Sequence, residues 1–184
     1  MKKALLILFG ILIIGIILVM SFGIQIGNVR IGKQNDTLGV KQNLELENSD
    51  FNKDYLQNDK LICINLWATW CKPCVAEIPM LNEIKSEYKH KNVEFLSLSV
   101  DTDSIKLNSF LKKGKFEYVD ITLQNLEYRT AILNFLENKP ADNKINSYSV
   151  PVTYLIKDKK ILKKIDGGLE TKDELTGEID KILK

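Results

Sequence analysis

The chain has 184 residues with 26 Lys+Arg, 24 Asp+Glu and a single His, a length that fits one domain plus an appendage. Lys2 and Lys3 stand at the very start, so the remainder carries 24 charges of each sign and is formally neutral. A neutral body without a basic stripe lacks the electrostatic footprint of a nucleic-acid binder, and that class is excluded.

The appendage comes first. Met1-Lys2-Lys3 leads into an uncharged, mostly apolar run from Ala4 to Gly27, and the next charge is Arg30. As a helix this run would be about 36 Å long at roughly 1.5 Å per residue, enough to cross a hydrocarbon core of about 30 Å. A signal peptide needs an apolar region of only about 7–15 residues, so the expectation is an uncleaved membrane anchor over residues 1–27. Ser21-Phe22-Gly23 leaves cleavage open as a weak small-x-small site. Lys2 and Lys3 favour an inside N-terminus, which places the rest of the chain on the far side of the membrane.

Residues 28–43, rich in Gly, Asn, Gln, Asp and Lys, read as a juxtamembrane linker, and residues 44–184 as the folded domain. Leu61 to Trp67 is a nearly continuous apolar run, the pattern of a strand buried on both faces. From Lys72 to about His90 the apolar residues Ile78, Leu81, Ile84 and Tyr88 recur at helical spacing. Val93 to Val100 alternates like a strand. Asp103 or Ser104 can cap a helix that runs to about Lys113. Glu117 to Leu123 reads as a short strand, and Leu126 to about Asn138 as a helix.

Val152 to Lys157 and Lys160 to Ile165 then form two strands around a turn at Asp158-Lys159, with Gly167-Gly168 beyond them. Thr171 caps a last amphipathic helix bearing Leu175, Ile179, Ile182 and Leu183. Alternating strands and helices followed by a hairpin and a closing helix predict an α/β fold, a mixed central sheet flanked by helices.

Two of the three cysteines, Cys71 and Cys74, lie three residues apart in Trp67-Ala-Thr-Trp-Cys-Lys-Pro-Cys74. Haem attachment would need a His after the second cysteine, and Val75 stands there. A structural zinc site needs four ligands, whereas Cys63 falls inside a strand and His90 near the far end of the helix. Copper delivery is disfavoured because the domain has no second His and no Met cluster, so no metal is expected. A thiol-exchange pair fits the position better. Where a strand runs straight into a helix, Cys71 falls at the helix N-terminus, whose free N–H groups and dipole favour a thiolate. Lys72 adds positive charge, and Pro73 suits the first helical turn, where its missing N–H costs nothing. In this reading Cys71 attacks and the shielded Cys74 resolves the mixed disulfide.

The segment WATWCKPCVAEIP resembles the active site of the membrane-anchored, thioredoxin-like thiol–disulfide oxidoreductases of the TlpA/ResA type. The resemblance covers residues 44–184 and the anchor arrangement. It implies a thioredoxin-like fold, a redox-active Cys71–Cys74 disulfide, and no cofactor beyond the thiols. Pro79 matches the proline that kinks the active-site helix. Pro151 matches the family's cis-proline, so Val150 would pair with an extended substrate segment through its main chain. Glu77 matches the family's glutamate and is expected to be the acid/base that tunes the thiols, against the plainer reading of a solvated helix carboxylate. Where many thioredoxins carry a buried Asp, this chain has Asn65, which cannot take a proton. Trp67 is expected in the core, and Trp70 walls the site for partner docking. Cys63 reads as a small buried hydrophobe.

The resemblance further implies protein disulfide substrates, with apocytochrome c among the candidates, and a membrane thiol-transporting electron donor. It also implies a place in the bacterial cell envelope, with the domain on the extracytoplasmic, periplasmic side. Two departures stand out: the stretch from Gln124 to Ser149 is long, and only Tyr148-Ser-Val150 remains of the signature before the cis-proline. Three readings stay open: a thiol reductant, a disulfide-forming oxidant on the same scaffold, and a binding module whose cysteines form only a structural bridge. A peroxidase fits less well, because no Arg-lined single-cysteine pocket is apparent around Cys71.

Overall fold

The computed structural model describes residues 45–140, 143 and 147–184, together with the backbone of 24–26 and 29–31. The chain divides into two compact units, Met1–Asp36 and Thr37–Lys184. In the first, β1 (Ile24–Ile26) pairs antiparallel with β2 (Val29–Ile31). β1 falls at the end of the run read as an anchor, and β2 within the stretch read as a linker. Short β-branched segments around a two-residue connection satisfy each other's backbone groups as a hairpin. Residues 4–23, the body of the proposed anchor, lie outside the described residues. Among the described residues no helix is long and apolar enough to cross a membrane.

The second unit is built on a five-stranded sheet of order β5-β4-β3-β6-β7. Its centre is β3 (Leu61–Trp67), every residue of which is buried, as the unbroken apolar run predicts. β4 (Val93–Ser99) lies parallel to β3, with Asn65 opposite Ser97. β6 (Val152–Lys157) lies antiparallel on the other side, with Asn65 opposite Thr153. β7 (Lys160–Asp166) closes the hairpin through Asp158 and Lys159, both with positive φ of 52° and 59°. Positive φ at both central residues is the turn geometry that matches strand twist.

α1 (Lys72–Glu87) follows β3, with Cys71 as its N-cap and Pro79 in its interior. Pro79 removes the N–H that would bond the Val75 carbonyl, the local cause of a kink. α2 (Ser104–Leu111) is capped by Asp103, whose carboxylate accepts the Ile105 and Lys106 N–H groups, each at 3.0 Å. α4 (Lys172–Leu183) closes the domain. The Glu174 carboxylate accepts the Thr171 N–H at 2.8 Å, the reciprocal half of a capping box. Tyr88 at the end of α1 donates to Asp180 of α4 at 2.8 Å, which ties the two helices together.

Two further expectations are revised, and one segment was not read at all. The strand over Glu117–Leu123 shrinks to β5 (Val119–Asp120), because Asp120 turns back to accept the Thr122 N–H and hydroxyl and stops the ladder. The helix read from Leu126 begins earlier, as a tight turn over Leu123–Tyr128, and becomes α3 (Arg129–Leu136) past a kink at Asn125. Asn125 is diverted to accept the Phe51 N–H at 3.0 Å and to donate to the Ile121 carbonyl at 2.9 Å. Those bonds dock a helical segment ending at Leu56 that periodicity does not reveal. It is too short to show a repeat, yet Phe51 is fully buried and packs at a tilt against Tyr55 and Phe135.

Candidate active site

The site forms where β3 hands the chain to α1. Ala68, Thr69 and Trp70 make the turn, and the Cys71 N–H bonds back to the Ala68 carbonyl at 3.1 Å. Cys71 and Cys74 form a disulfide with their Cα atoms 5.3 Å apart. The Cys74 N–H points at Cys71 Sγ at 3.3 Å, so one of the orphan donors of the helix start is aimed at the first sulfur. A thiolate there would receive a charge-assisted bond. Lys72 beside it is exposed. Both cysteines are buried, Cys71 at 0% and Cys74 at 1% exposure. Exposure alone therefore does not separate an attacking from a resolving thiol. Of the two, Cys71 is the helix N-cap.

Glu77 lies one turn beyond Cys74 and is 5% exposed, turned into the protein rather than to solvent. Its Oε1 accepts the Asn65 amide at 3.1 Å, and its Oε2 accepts the Leu169 N–H at 3.2 Å. Burial pushes the carboxyl above its ordinary value, and the two donors oppose that shift without cancelling it. The Asn65 amide also donates to the Thr153 hydroxyl at 3.1 Å, whereas its oxygen has no hydrogen-bond partner. The strand register puts Thr153 and Asn65 side by side, so β3, β6, α1 and the loop after β7 converge on this one carboxylate.

The Val150–Pro151 peptide is cis. The Pro151 carbonyl accepts the Gly167 N–H at 3.0 Å, and Gly167 has a φ of 87°, which only glycine adopts without strain. At Gly168 a Cβ would lie 3.6 Å from Glu77 Oε2 and 3.7 Å from Pro151 Cγ. The loop after β7 thus packs between the carboxylate and the proline, joining Glu77 and Pro151 to the same surface. Val150 is buried at its side chain, and Trp70 is half-buried against the core. Trp67 is fully buried between Phe110 and Phe116, at ring separations of 5.1 and 5.4 Å.

The remaining cysteine and histidine stand apart. Cys63 is a free, fully buried thiol in the middle of β3, and burial pushes its pKa up to about 12. Such a thiol is inert toward exchange. His90 is exposed beyond the end of α1.

Sequence reasoning missed Thr69, Asp101 and Arg129. Asp101 follows β4, at the carboxyl ends of the parallel strands where α/β proteins place their sites, and that position was the available signal. The Asp101 carboxylate accepts the Thr69 N–H at 2.8 Å, the Thr69 hydroxyl at 2.7 Å and the Ser99 hydroxyl at 2.6 Å. The Arg129 guanidinium, from the long segment before Pro151, donates to the Asp101 carbonyl at 2.7 Å.

Comparison with known proteins places the chain in a family. The Redoxin family model matches residues 34–179. The thiol-disulfide oxidoreductase ResA of a Bacillus cereus strain is 35% identical over 127 residues, covering 67% of this chain and 64% of that protein. The chain thus spans less than two thirds of the length of the ResA relatives it matches. The thioredoxin-like protein YneN of Bacillus subtilis is 25% identical over 173 residues, 90% of this chain and 95% of that one. Among solved structures, a thiol:disulfide interchange protein of the thioredoxin family from Chlorobium tepidum TLS superposes with a TM-score of 0.53 at 18% identity, covering 72% and 85% of the two chains. StoA from Bacillus subtilis gives 0.50 at 17% identity, covering 65% and 82%. Both establish a thioredoxin-like fold.

Proposed function

Because this chain belongs to the redoxin family, as a TlpA/ResA-like protein with a thioredoxin-like fold, we propose that it is a thiol–disulfide oxidoreductase that reduces disulfides in exported proteins. The observation that carries the reading is the Cys71–Cys74 disulfide at the cap of α1, with the Cys74 N–H aimed at Cys71 Sγ. In the reduced state the Cys71 thiolate attacks a client disulfide, forming a mixed disulfide and releasing one client thiolate. Cys74 then loses its proton and attacks Cys71 Sγ, which expels the second client thiolate and restores the intramolecular bond. Two electrons pass to the client. A dithiol donor in the membrane returns them by the reverse exchange.

In this reading Glu77 takes the Cys74 proton. It sits on the same helix at i+3 from Cys74, buried, with a carboxyl held above its ordinary value. Trp70, Val150 and Pro151 form the surface on which an extended client segment docks, Val150 through its main chain. The apolar run Ala4 to Gly27 and the two lysines before it support anchoring in the cytoplasmic membrane with the domain outside. Apocytochrome c is one client of suitable chemistry, since its haem-binding thiols must be reduced before ligation.

The reductant direction is supported by charge. The buried ionisable side chains nearest the pair in the fold are the carboxyls of Glu77 and Asp101, while the neighbouring cation, Lys72, is exposed. A thiolate is therefore only modestly favoured, and a reduced form that is not strongly stabilised gives up its electrons readily. Redox titration of the full chain, following the disulfide by tryptophan fluorescence, tests this. A potential near about −270 mV, that of thioredoxin, is expected, whereas one near about −120 mV would make the protein a disulfide donor.

A further inference from the structure

The turn that presents Cys71 is held from behind by a buried carboxylate. Asp101 is 2% exposed, and both of its oxygens are engaged, Oδ2 by the Thr69 N–H and the Ser99 hydroxyl and Oδ1 by the Thr69 hydroxyl. The Ser99 hydroxyl in turn accepts the Asp101 N–H at 3.0 Å, which fixes the carboxylate against its own strand end. A buried carboxylate is costly unless donors surround it, and here two of the three belong to one residue. That residue, Thr69, stands two positions before Cys71.

The support continues outward. Arg129, itself 2% exposed, reaches the Asp101 carbonyl from α3, inside the long segment that sets this chain apart from a minimal thioredoxin. A chain of bonds thus runs from Arg129 to Asp101, to Thr69, and through the Ala68 carbonyl to the Cys71 N–H. From the other end the same segment leads directly into Val150 and Pro151.

We infer that Asp101 and Thr69 form a positioning clamp, anchored by Arg129, that keeps Cys71 Sγ on the Cys74 N–H at the start of α1 and so sets the nucleophilicity of the attacking thiol. The inference rests on the exchange reading for the role of Cys71. A loosened turn lets the sulfur drift from the Cys74 N–H, now 3.3 Å away, and the thiolate loses its charge-assisted bond.

The test must leave charge unchanged. Replacing Asp101 by Asn removes a buried negative charge near the thiol, which by itself favours the thiolate and masks the loss of the clamp. Thr69→Val avoids this: the Thr69 N–H bond stays, the hydroxyl bond goes, and the charged groups around Cys71, namely Lys72, Glu77 and Asp101, are untouched. Thr69→Ser keeps both bonds and serves as the conservative rescue.

The measurement is the pH dependence of iodoacetamide alkylation of Cys71 in the reduced full-length chain, with the modified peptide identified by mass spectrometry. Thr69→Val is expected to move the midpoint to higher pH and to slow alkylation near neutral pH by about threefold or more, with Thr69→Ser matching the unsubstituted protein. An unchanged pH profile in Thr69→Val overturns the clamp, even if that variant is less stable to urea. So does a Thr69→Ser profile displaced to higher pH by as much as the clamp's loss predicts, an outcome that remains measurable should Thr69→Val fail to fold. Alkylation requires no exchange activity, so failure of the clamp is distinguishable from failure of the oxidoreductase reading.

Discussion

At the scale of single residues, the chemistry concentrates in a few buried polar groups whose partners are identifiable. Glu77 and Asp101 are both buried carboxylates near Cys71, yet they are satisfied differently. Asp101 accepts three bonds, whereas Glu77 accepts two, one of them from an amide whose own oxygen is unpartnered. At Glu77 burial outweighs the donors and raises the carboxyl above its ordinary value of 4.5. The sign of the consequence follows from linkage. A carboxyl whose folded pKa exceeds its unfolded one contributes stability that is fully present below about 4.5 and is lost as pH rises through the folded value. Glu77→Gln has no such titration. The stability of the variant relative to the unsubstituted chain should therefore improve as pH rises above about 4.5, then level off above the folded pKa. Urea unfolding of both proteins in the oxidised state, from about pH 4 to about pH 8, reads this difference directly. A difference that stays flat across the range would mean that the two donors already hold the carboxylate charged at no cost.

At the scale of elements, what the sequence revealed and what it hid follow from how local each cause is. β3, α1, β4 and β6 were legible because periodicity and burial coincide in them: all seven residues of β3 are buried, and Ile78, Leu81 and Ile84 line the inner face of α1. Asn125, Asp120 and Arg129 were not, because each is set by hydrogen bonds that periodicity does not report. Phe51, for instance, is 74 residues from Asn125. The Cys71–Cys74 disulfide and the cis bond before Pro151 were legible through the family resemblance, whereas the inward turn of Glu77 needed Asn65 and Leu169 to be placed. The β6–β7 turn illustrates a local rule only half obeyed. Asp158 tolerates its φ of 52°, but Lys159 at 59° carries the Cβ penalty of the left-handed region. Lys159→Gly removes that penalty and adds unfolded-state entropy, for a net gain of about 0.5–1 kcal/mol. Thermal unfolding should show a raised midpoint. A lowered one would mean that the lysine side chain contributes more to the hairpin than its backbone costs.

At the scale of the whole molecule, the redox pair and the fold are one thermodynamic system. Cys71 and Cys74 belong to the same buried cluster as β3, β6 and the inner faces of α1 and α4, so opening the disulfide changes the interior and not merely the surface. Reduction places two thiols in a fully buried site where a single N–H, that of Cys74, is aimed at the first sulfur and the raised carboxyl of Glu77 lies one helical turn beyond the second. A thiolate there gains one charge-assisted bond, and any ionisation of Glu77 opposes it. Strong oxidants of this general kind owe their potential to a reduced form more stable than the oxidised one. The arrangement here predicts the reverse. The oxidised chain should resist urea better than the dithiothreitol-reduced chain at neutral pH, by on the order of 1–3 kcal/mol, because closing even a short loop restricts the unfolded state. Because about 30 mV corresponds to about 1.4 kcal/mol for a two-electron couple, the stability difference and the measured potential must agree with one another. A reduced chain that proved the more stable would show that the thiolate is held by more than the Cys74 N–H, and electrons would then run from client to protein.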